Sequence, residues 1–151
     1  MNLNLNNNSQ IQKIQPFSHE IKKEKKQILD VDKVANGFIG EYYKCVSNNG
    51  WTNVMYLFSS SCNIIFKEKK FSNPYEFLHY LFCEMVKKAN YDNLKAKWIL
   101  IDDETILISV FGQIQFVLFD NTINNPLVFA ETFVIKLENS VAKCVSHIID
   151  F

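Results

Sequence analysis

Glu131 is an acidic residue within a largely apolar row, FAETFVIKL, at residues 129–137. A carboxyl group in apolar surroundings can have its pKa raised enough to stay protonated and donate a hydrogen bond. His147 and Asp150, near the end of the chain, could supply a base if they reach the same substrate atom. The simpler interpretation, which we adopt as the expectation, places Glu131 on a sheet face, solvated or paired with a lysine across an interface.

Metal binding is not predicted from the potential ligand residues. His79 and His147 have no acidic partner at ligand spacing, so His147 is expected to be an ordinary sheet-face histidine. The acidic run at residues 102–104 could bind a cation weakly, but it more simply closes a hairpin. The cysteines form no CxxC pair and have no zinc spacing: Cys45, Cys62, Cys83 and Cys144. We expect no metal and no cofactor.

Length and composition predict one globular domain, residues 27–151, preceded by a disordered polar arm at residues 1–26. The arm has five Lys and two Glu, a net charge of +3, which leaves −3 for the rest of the neutral chain. All sixteen basic residues are lysines, and the absence of arginine argues against specific DNA recognition. No signal peptide or membrane-spanning run is evident, so we expect an intracellular protein.

Hydrophobic spacing predicts mainly helices in the first half of the domain. Residues 30–47 have apolar positions at intervals of three and four, and SNNG then ends that helix. A short helix at 51–58 and a strand at 61–68 follow. The next helix, at 73–88, begins with the cap signal Asn-Pro and should turn an apolar stripe to the core: Phe77, Tyr80, Leu81 and Met85.

Beyond residue 90 the apolar period falls to two, which predicts strands joined by short turns: 93–101, 105–119, 127–137 and 141–151. This order predicts an α+β domain with an antiparallel meander under a helical layer. The 105–119 strand, which Gly112 should bend, is partly apolar on both faces. One face can pack on the helices, whereas the other needs a partner, most simply another subunit. The candidates for that dimer face are Phe111, Glu131, Phe133, His147 and Ile149.

Five segments resemble the nuclear transport factor 2 family in order and in local letters, over about residues 31–151: FIGEYY, YLFSSSCNIIF, FSNPYEFLHYL, ISVFGQIQF and VFAETFVIKLENSVAKCVSHIIDF. The resemblance implies a cone-shaped α+β domain, with three N-terminal helices packed on a bent antiparallel sheet around a pocket. It also implies dimerisation through the open sheet face, as a homodimer or as a heterodimer with a similar domain. The transport branch of the family acts in nuclear import and messenger-RNA export, in the cytoplasm and nucleus and at the nuclear pore.

The resemblance also implies residues that bind partners. In the transport factor a Trp-Glu pair follows the first strand; the Trp helps to bind phenylalanine–glycine repeats of nucleoporins and the Glu contacts Ran-GDP. Here those positions are Phe66 and Lys67, or Ile65 and Phe66, depending on the anchor of the alignment. The family's acidic loop corresponds to a segment with one acid, Asp120. Phe66, Lys67 and Asp120 are therefore the implied partner-binding residues, and the missing glutamate argues against Ran-GDP.

Enzymes of the same fold suggest another function. Resemblance to ketosteroid isomerase would place a hydrogen-bond donor at Tyr42 or Tyr43 and a protonated acid at Glu131. Its general base would fall at Phe66, which cannot accept a proton. We therefore predict a non-enzymatic binding module. The alternatives are a pocket enzyme of the isomerase or scytalone dehydratase kind, or an orphan scaffold, that is, a domain that keeps the fold but has lost the transport role. Convergence of a tyrosine, Glu131 and a base within hydrogen-bond distance would favour an enzyme.

Overall fold

The computed structural model describes residues 30–151; the predicted arm at 1–26 and the first residues of the predicted domain, 27–29, lie outside the described residues. Within the described part of the chain, no helix is both long and apolar enough to cross a membrane. The elements, in chain order, are α1 (Val31–Asn49), a 3-10 helix (Trp51–Leu57), β1 (Phe58–Phe66), β2 (Lys69–Phe71), α2 (Pro74–Cys83), β3 (Val86–Asp102), β4 (Thr105–Leu118), β5 (Leu127–Glu138) and β6 (Val141–Asp150).

The strands form one six-stranded sheet in the order β2-β1-β6-β5-β4-β3. Neighbouring strands are antiparallel except β1 and β6, which run parallel. The predicted α+β fold with three helical segments on a sheet is confirmed, although the sheet is mixed rather than purely antiparallel. The parallel pair arises because the chain passes through β2, α2 and the β3–β5 meander before β6 returns beside β1. The three residues of β2 are too few for a period-two pattern, so the sequence analysis missed this strand.

Alternate residues of the sheet face the helices and form the core. On β4 the inner residues are even-numbered, and on β5 they are odd-numbered, as the register of the two strands requires. Four of the five residues expected on the dimer face therefore lie inside the protomer, with exposed fractions of 0–1%: Glu131, Phe133, His147 and Ile149. Phe111 alone of the five lies on the outer face, where 49% of it is exposed. Because both faces of the sheet carry apolar residues, the sequence alone could not show which face the helices cover.

Helix α2 begins as predicted but ends earlier. The Asn73 Oδ1 accepts the Glu76 N–H at 3.0 Å, and the Glu76 carboxylate accepts the Ser72 N–H at 3.0 Å, so the capping arrangement is present. The helix ends at Cys83 rather than near residue 88, because Met85 has a φ of 61° and turns the chain into β3. Met85 is consequently exposed instead of packing in the core.

Gly112 lies in the middle of β4, between β3 and β5. A Cβ at this position would lie 2.9 Å from the Asp92 carbonyl oxygen and 2.9 Å from a methyl group of Leu94. The β3–β4 register shifts between Asp92 and Lys95 at the same place. Glycine thus permits a close backbone approach beside a bulge, which any side chain would obstruct.

Candidate functional site

Three polar side chains from α1, β5 and β6 meet in the core. The Tyr43 hydroxyl donates to Glu131 Oε1 at 3.1 Å, and His147 Nε2 lies 2.6 Å from Glu131 Oε2. Their exposed fractions are 6%, 1% and 0%, respectively. We call these residues the buried trio. Glu131 is therefore neither solvated nor paired with a lysine, which corrects the expectation from the sequence.

The strand register brings the trio together. Phe133 is opposite His147 and Glu131 is opposite Ile149, so His147 and Glu131 are diagonal neighbours on the inner face. The His147 ring stacks on Phe133, with centroids 4.5 Å apart and planes at 12°. Tyr42 and Phe58 meet the same ring at steeper angles, with centroids at 5.6 Å and 5.4 Å. The polar groups are thus enclosed by aromatic rings.

The hydrogen bonds use both oxygens of Glu131. A carboxylate that accepts from both partners is satisfied, and it places the imidazole proton of His147 on Nε2. Burial raises the pKa of Tyr43 far above its usual value, and the Glu131 charge raises it further, so this phenol remains a donor. The trio consequently bonds α1 to β5 and β6, and each Glu131 oxygen already accepts a hydrogen bond within the protein.

Two buried polar atoms have no hydrogen-bond partner among the described residues: His147 Nδ1 and the Tyr91 hydroxyl oxygen. The Tyr91 ring packs edge-on against Tyr43, with centroids 4.6 Å apart. Sequence analysis missed Tyr91, whose strand begins seven residues before the predicted start at residue 93.

Replacing Tyr43 and Tyr91 separately with phenylalanine should have unequal effects on stability. Tyr43→Phe removes a hydrogen bond to a charged group and should lower the free energy of unfolding by about 1.5–3 kcal/mol. Tyr91→Phe removes a buried hydroxyl without a partner and should leave that free energy unchanged or raise it. Urea unfolding followed by tryptophan fluorescence measures both. Equal losses in the two variants would contradict these hydrogen-bond assignments.

Alkaline pH should unfold the domain. Burial raises the pKa of Tyr42, Tyr43 and Tyr91, and the Glu131 charge raises each further. Their folded-state values exceed the unfolded value of about 10, so their contribution to stability is complete below that pH and is lost above it. We expect circular dichroism to fall cooperatively above about pH 10, together with a steep rise in tyrosinate absorbance. Gradual tyrosine titration in a chain that stays folded would contradict this.

The other candidate catalytic residues do not join the trio. The Tyr42 hydroxyl accepts the Trp51 Nε1–H at 3.0 Å, whereas the donor to Glu131 is Tyr43. Asp150 is exposed and lies opposite Ala130. Phe66, the position of the family's base, packs instead against Phe77 and Phe116. Of the residues proposed for acid–base chemistry, the structure brings together Tyr43, Glu131 and His147.

A second feature is an apolar pocket of about 300 Å³ where the ends of α2 and several strands meet. Three polar residues, Glu84, Thr122 and Asn124, contribute to its lining. The other lining residues are aromatic or aliphatic: Phe66, Tyr80, Val86, Phe116, Leu118, Leu127 and Phe151. We call it the mouth pocket. The Phe151 ring lies 5.2 Å from that of Phe66 and 5.3 Å from that of Phe116, so the last residue is held by packing.

The residues predicted to bind partners lie at this pocket. Phe66 lines it, and Lys67 Nζ lies 5.3 Å from the centre of the Phe151 ring. Asp120 is in the adjoining loop, where its carboxylate accepts the N–H of the lining residue Thr122 at 2.9 Å. Lys69 contributes a second cation, 4.9 Å from the Tyr80 ring centre. The structure therefore gathers an aromatic surface, two lysines and two acids, Asp120 and Glu84, around a single opening.

Potential metal ligands are not grouped in the part of the chain that the structure describes, where no three His, Cys, Asp or Glu side chains could hold one ion. His79 Nε2 lies 3.5 Å from Cys83 Sγ on an exposed turn of α2, which is a pair only. The mouth pocket offers mainly apolar contacts, so neither place indicates a cofactor.

No protein-family model matches the chain, and no curated protein matches it. The structure of nuclear transport factor 2 from Cryptosporidium parvum matches with a TM-score of 0.67 at 11% identity, over 81% of this chain and 94% of that chain. The chain has the nuclear-transport-factor-2-like fold. The hexachlorocyclohexane dehydrochlorinase LinA type 2 also matches, with a TM-score of 0.66 at 7% identity, over 82% of this chain and 86% of that one.

The nuclear-transport-factor-2-like fold alone does not select a function for the chain. Another match is the yeast UBP3-associated protein BRE5, with a TM-score of 0.58 at 17% identity, over 80% of this chain and 95% of that chain. Proteins with this fold thus include a transport factor, a UBP3-associated protein and an enzyme. At such identities the likeness describes architecture, and function must be argued from the residues of this chain.

Proposed function

We propose that this protein is a non-enzymatic binding module that dimerises through the outer face of its sheet and holds an apolar segment of a partner protein. We further propose that it serves nucleocytoplasmic transport as a factor or cofactor, in the cytoplasm and nucleus. The observation that carries the proposal is the mouth pocket: of the three residues that resemblance implied for partner binding, Phe66 lines it, and Lys67 and Asp120 contact its lining residues Phe151 and Thr122.

The chemistry of the mouth pocket suits an apolar side chain. Its volume of about 300 Å³ and its aromatic lining are typical of sites that take an apolar group and orient it with few polar contacts. Lys67 and Lys69 pack against lining rings, so their charges lie at the rim rather than in the interior. Phenylalanine–glycine repeats of nucleoporins present suitable side chains. Lys67, in the place of an acid, disfavours Ran-GDP.

The outer face of the sheet supports the dimer. By strand register, apolar side chains on this face come from four strands: Ile99, Leu107, Phe111, Val128, Val134 and Ile148. Several are largely exposed, including Phe111 at 49% and Val128 at 77%. An exposed apolar patch of this kind marks a protein interface in a soluble domain. A homodimer, or a heterodimer with a similar domain, would cover it.

The pocket proposal is tested with a fluorescently labelled phenylalanine–glycine repeat peptide. Wild-type protein should raise its anisotropy, and Leu127→Glu, which puts a charge in the pocket, should weaken binding at least tenfold. Val141→Glu is the matched control, because Val141 also begins a strand but lies outside the pocket and is exposed. Absence of wild-type binding, or equal binding by both variants, would contradict the proposal. Circular dichroism checks that each variant is folded.

The dimer proposal is tested by sedimentation velocity. Phe111→Lys should shift the chain toward a smaller species, because it puts a charge in the centre of the apolar face. A wild-type chain that has the same mass as the variant over the micromolar range would argue against a face dimer.

A pocket enzyme is the second candidate function, and the buried trio is the observation that favours it. Tyr43 and Glu131 lie within hydrogen-bond distance, and His147 adds an imidazole whose Nδ1 is unpartnered. An acid and a base in apolar surroundings suit isomerase or dehydratase chemistry. Against this, both Glu131 oxygens are used and all three residues are closed to solvent, so substrate would have to open the core.

The enzyme candidate is tested by isomerisation of a β,γ-unsaturated ketosteroid, which produces a conjugated ketone with strong ultraviolet absorption. Turnover by the wild type that disappears in Glu131→Gln, with the fold retained, would support an enzyme. The binding-module proposal expects no turnover by either protein, and it expects Glu131→Gln to bind the repeat peptide as the wild type does.

A further inference from the structure

The free edge of β3 carries an unusual run of exposed apolar side chains. The sheet order leaves β3 at one edge, where no strand of residues 30–151 pairs with its outer side. Ile99, Leu100 and Ile101 follow one another near its end, with exposed fractions of 61%, 40% and 53%. A long edge strand with consecutive exposed apolar residues is a template for pairing with another strand.

These residues occupy both faces of the sheet. Ile99 is opposite Leu107, an outer residue, whereas Leu100 is opposite Ile106, an inner one. The register then shifts by one, because Asp102 is opposite Thr105, and Ile101 is the extra residue of a bulge. A partner on the outer face alone would cover Ile99 and leave Leu100 exposed. A strand added at the edge would contact both faces.

We propose that this edge pairs with the same edge of a second copy of the chain, as two antiparallel β3 strands related by a two-fold axis at Ile99. In this register Ile99 is opposite its own copy on the outer face. Trp98 is opposite Leu100 of the other copy on the inner face. Ile101 is the extra residue of the bulge and has no opposite residue in the other copy. Lys97 is therefore opposite Asp102, and the two-fold symmetry forms this pair twice.

The charges select this partner over an unrelated strand. Lysines on an edge strand normally deter pairing, and Lys95 and Lys97 both lie on the outer face here. In the self-paired register Lys97 meets a carboxylate, so the repulsive group becomes complementary to this partner. The Asp102 carboxylate already accepts the Glu104 N–H at 2.9 Å, and that bond lowers its pKa, so it is charged at neutral pH.

This edge contact does not depend on the proposed face dimer, although Ile99 belongs to both surfaces. The two contacts use different directions of the sheet, so a chain that forms both would build an assembly larger than a dimer. On the inner face, the Trp98 indole donates to Asp32 of α1 at 2.7 Å, which holds the ring beside the edge.

The test uses two charge variants of the full chain, Lys97→Asp and Asp102→Lys. Each variant alone should place like charges opposite each other twice and weaken the self-association at the edge about tenfold. An equimolar mixture should recover wild-type association, because a copy of K97D and a copy of D102K form two opposite-charge pairs. Sedimentation velocity at low salt, over the micromolar range, measures the weight-average mass of each sample.

Lys70→Asp is the matched control, because it makes the same charge change on the exposed edge strand at the other side of the sheet. Alone it should leave the association unchanged, and in an equimolar mixture it should not restore the association of D102K, because it brings no aspartate at position 97 to face the lysine introduced at position 102. Single variants that keep the wild-type mass would overturn the proposal. A mixture of K97D and D102K that fails to recover the wild-type mass would also overturn it. If another segment of the same chain covered this edge, or if the chains associated only through the sheet face, the mixture would not recover that mass. Phe111→Lys tests the face dimer separately.

Discussion

Replacing Glu131 with leucine should lower the free energy of unfolding by about 3–5 kcal/mol, a large fraction of the stability of a domain this size. The leucine side chain occupies a similar space, but it accepts no hydrogen bond. The Tyr43 hydroxyl and His147 Nε2 would both lose their partner in an interior that water does not reach. Urea unfolding followed by tryptophan fluorescence gives the difference from the wild type.

Two further substitutions test whether the loss of stability comes from the lost hydrogen bonds of the buried Glu131 rather than from a Glu-to-Leu change as such. Glu131→Gln keeps an oxygen for Tyr43, and its amide N–H can donate to His147 Nε2 once the imidazole proton moves to Nδ1, so the loss should be about 1–2 kcal/mol. Glu138→Leu makes the same change as Glu131→Leu at an exposed position of β5 and should stay within about 0.5 kcal/mol of the wild type. A Glu131→Leu variant as stable as Glu138→Leu would show that the trio contributes no stability.

Gly50→Ala should strongly lower the free energy of unfolding. Gly50 joins α1 to the 3-10 helix with a φ of 81° and a ψ of −173°, a backbone conformation that is essentially restricted to glycine. A Cβ there would also overlap the carbonyl oxygen of Lys87 on β3, a backbone atom that cannot turn away. The expected loss is about 3 kcal/mol, from backbone strain and overlap together.

Gly37→Ala is the matched control for that substitution. Gly37 lies within α1, and a Cβ added to it would meet no atom within 4 Å. Alanine is favoured over glycine inside a helix, so this variant should be more stable by about 0.5–1 kcal/mol. Thermal unfolding of both variants tests the pair. Equal midpoints would mean that the backbone at Gly50 relaxes and that the strain assigned to it is absent.

Local patterns in the sequence determined the kind and order of most elements. The three-and-four spacing from Val31 to Val46 is that of α1, and the Asn-Pro signal marks the start of α2. Period-two segments became β4, β5 and β6 because alternation depends only on neighbouring residues. The sequence analysis placed the end of α2 too late, because hydrophobic spacing does not indicate a left-handed residue. The positive φ of Met85, which turns the chain into β3, is set by the tertiary structure.

The tertiary structure alone decided what Glu131 does. Its apolar row was visible, but whether the inner or the outer face held the odd positions of β5 depended on where the helices pack. The pairing of β5 with β6 then placed His147 beside it, and α1 brought Tyr43 from 88 positions away. The mouth pocket likewise joins Phe66 of β1, Leu127 of β5 and Phe151, which follows β6. Sequence specifies periods along the chain, whereas a site requires register between chain segments, which only long-range packing sets.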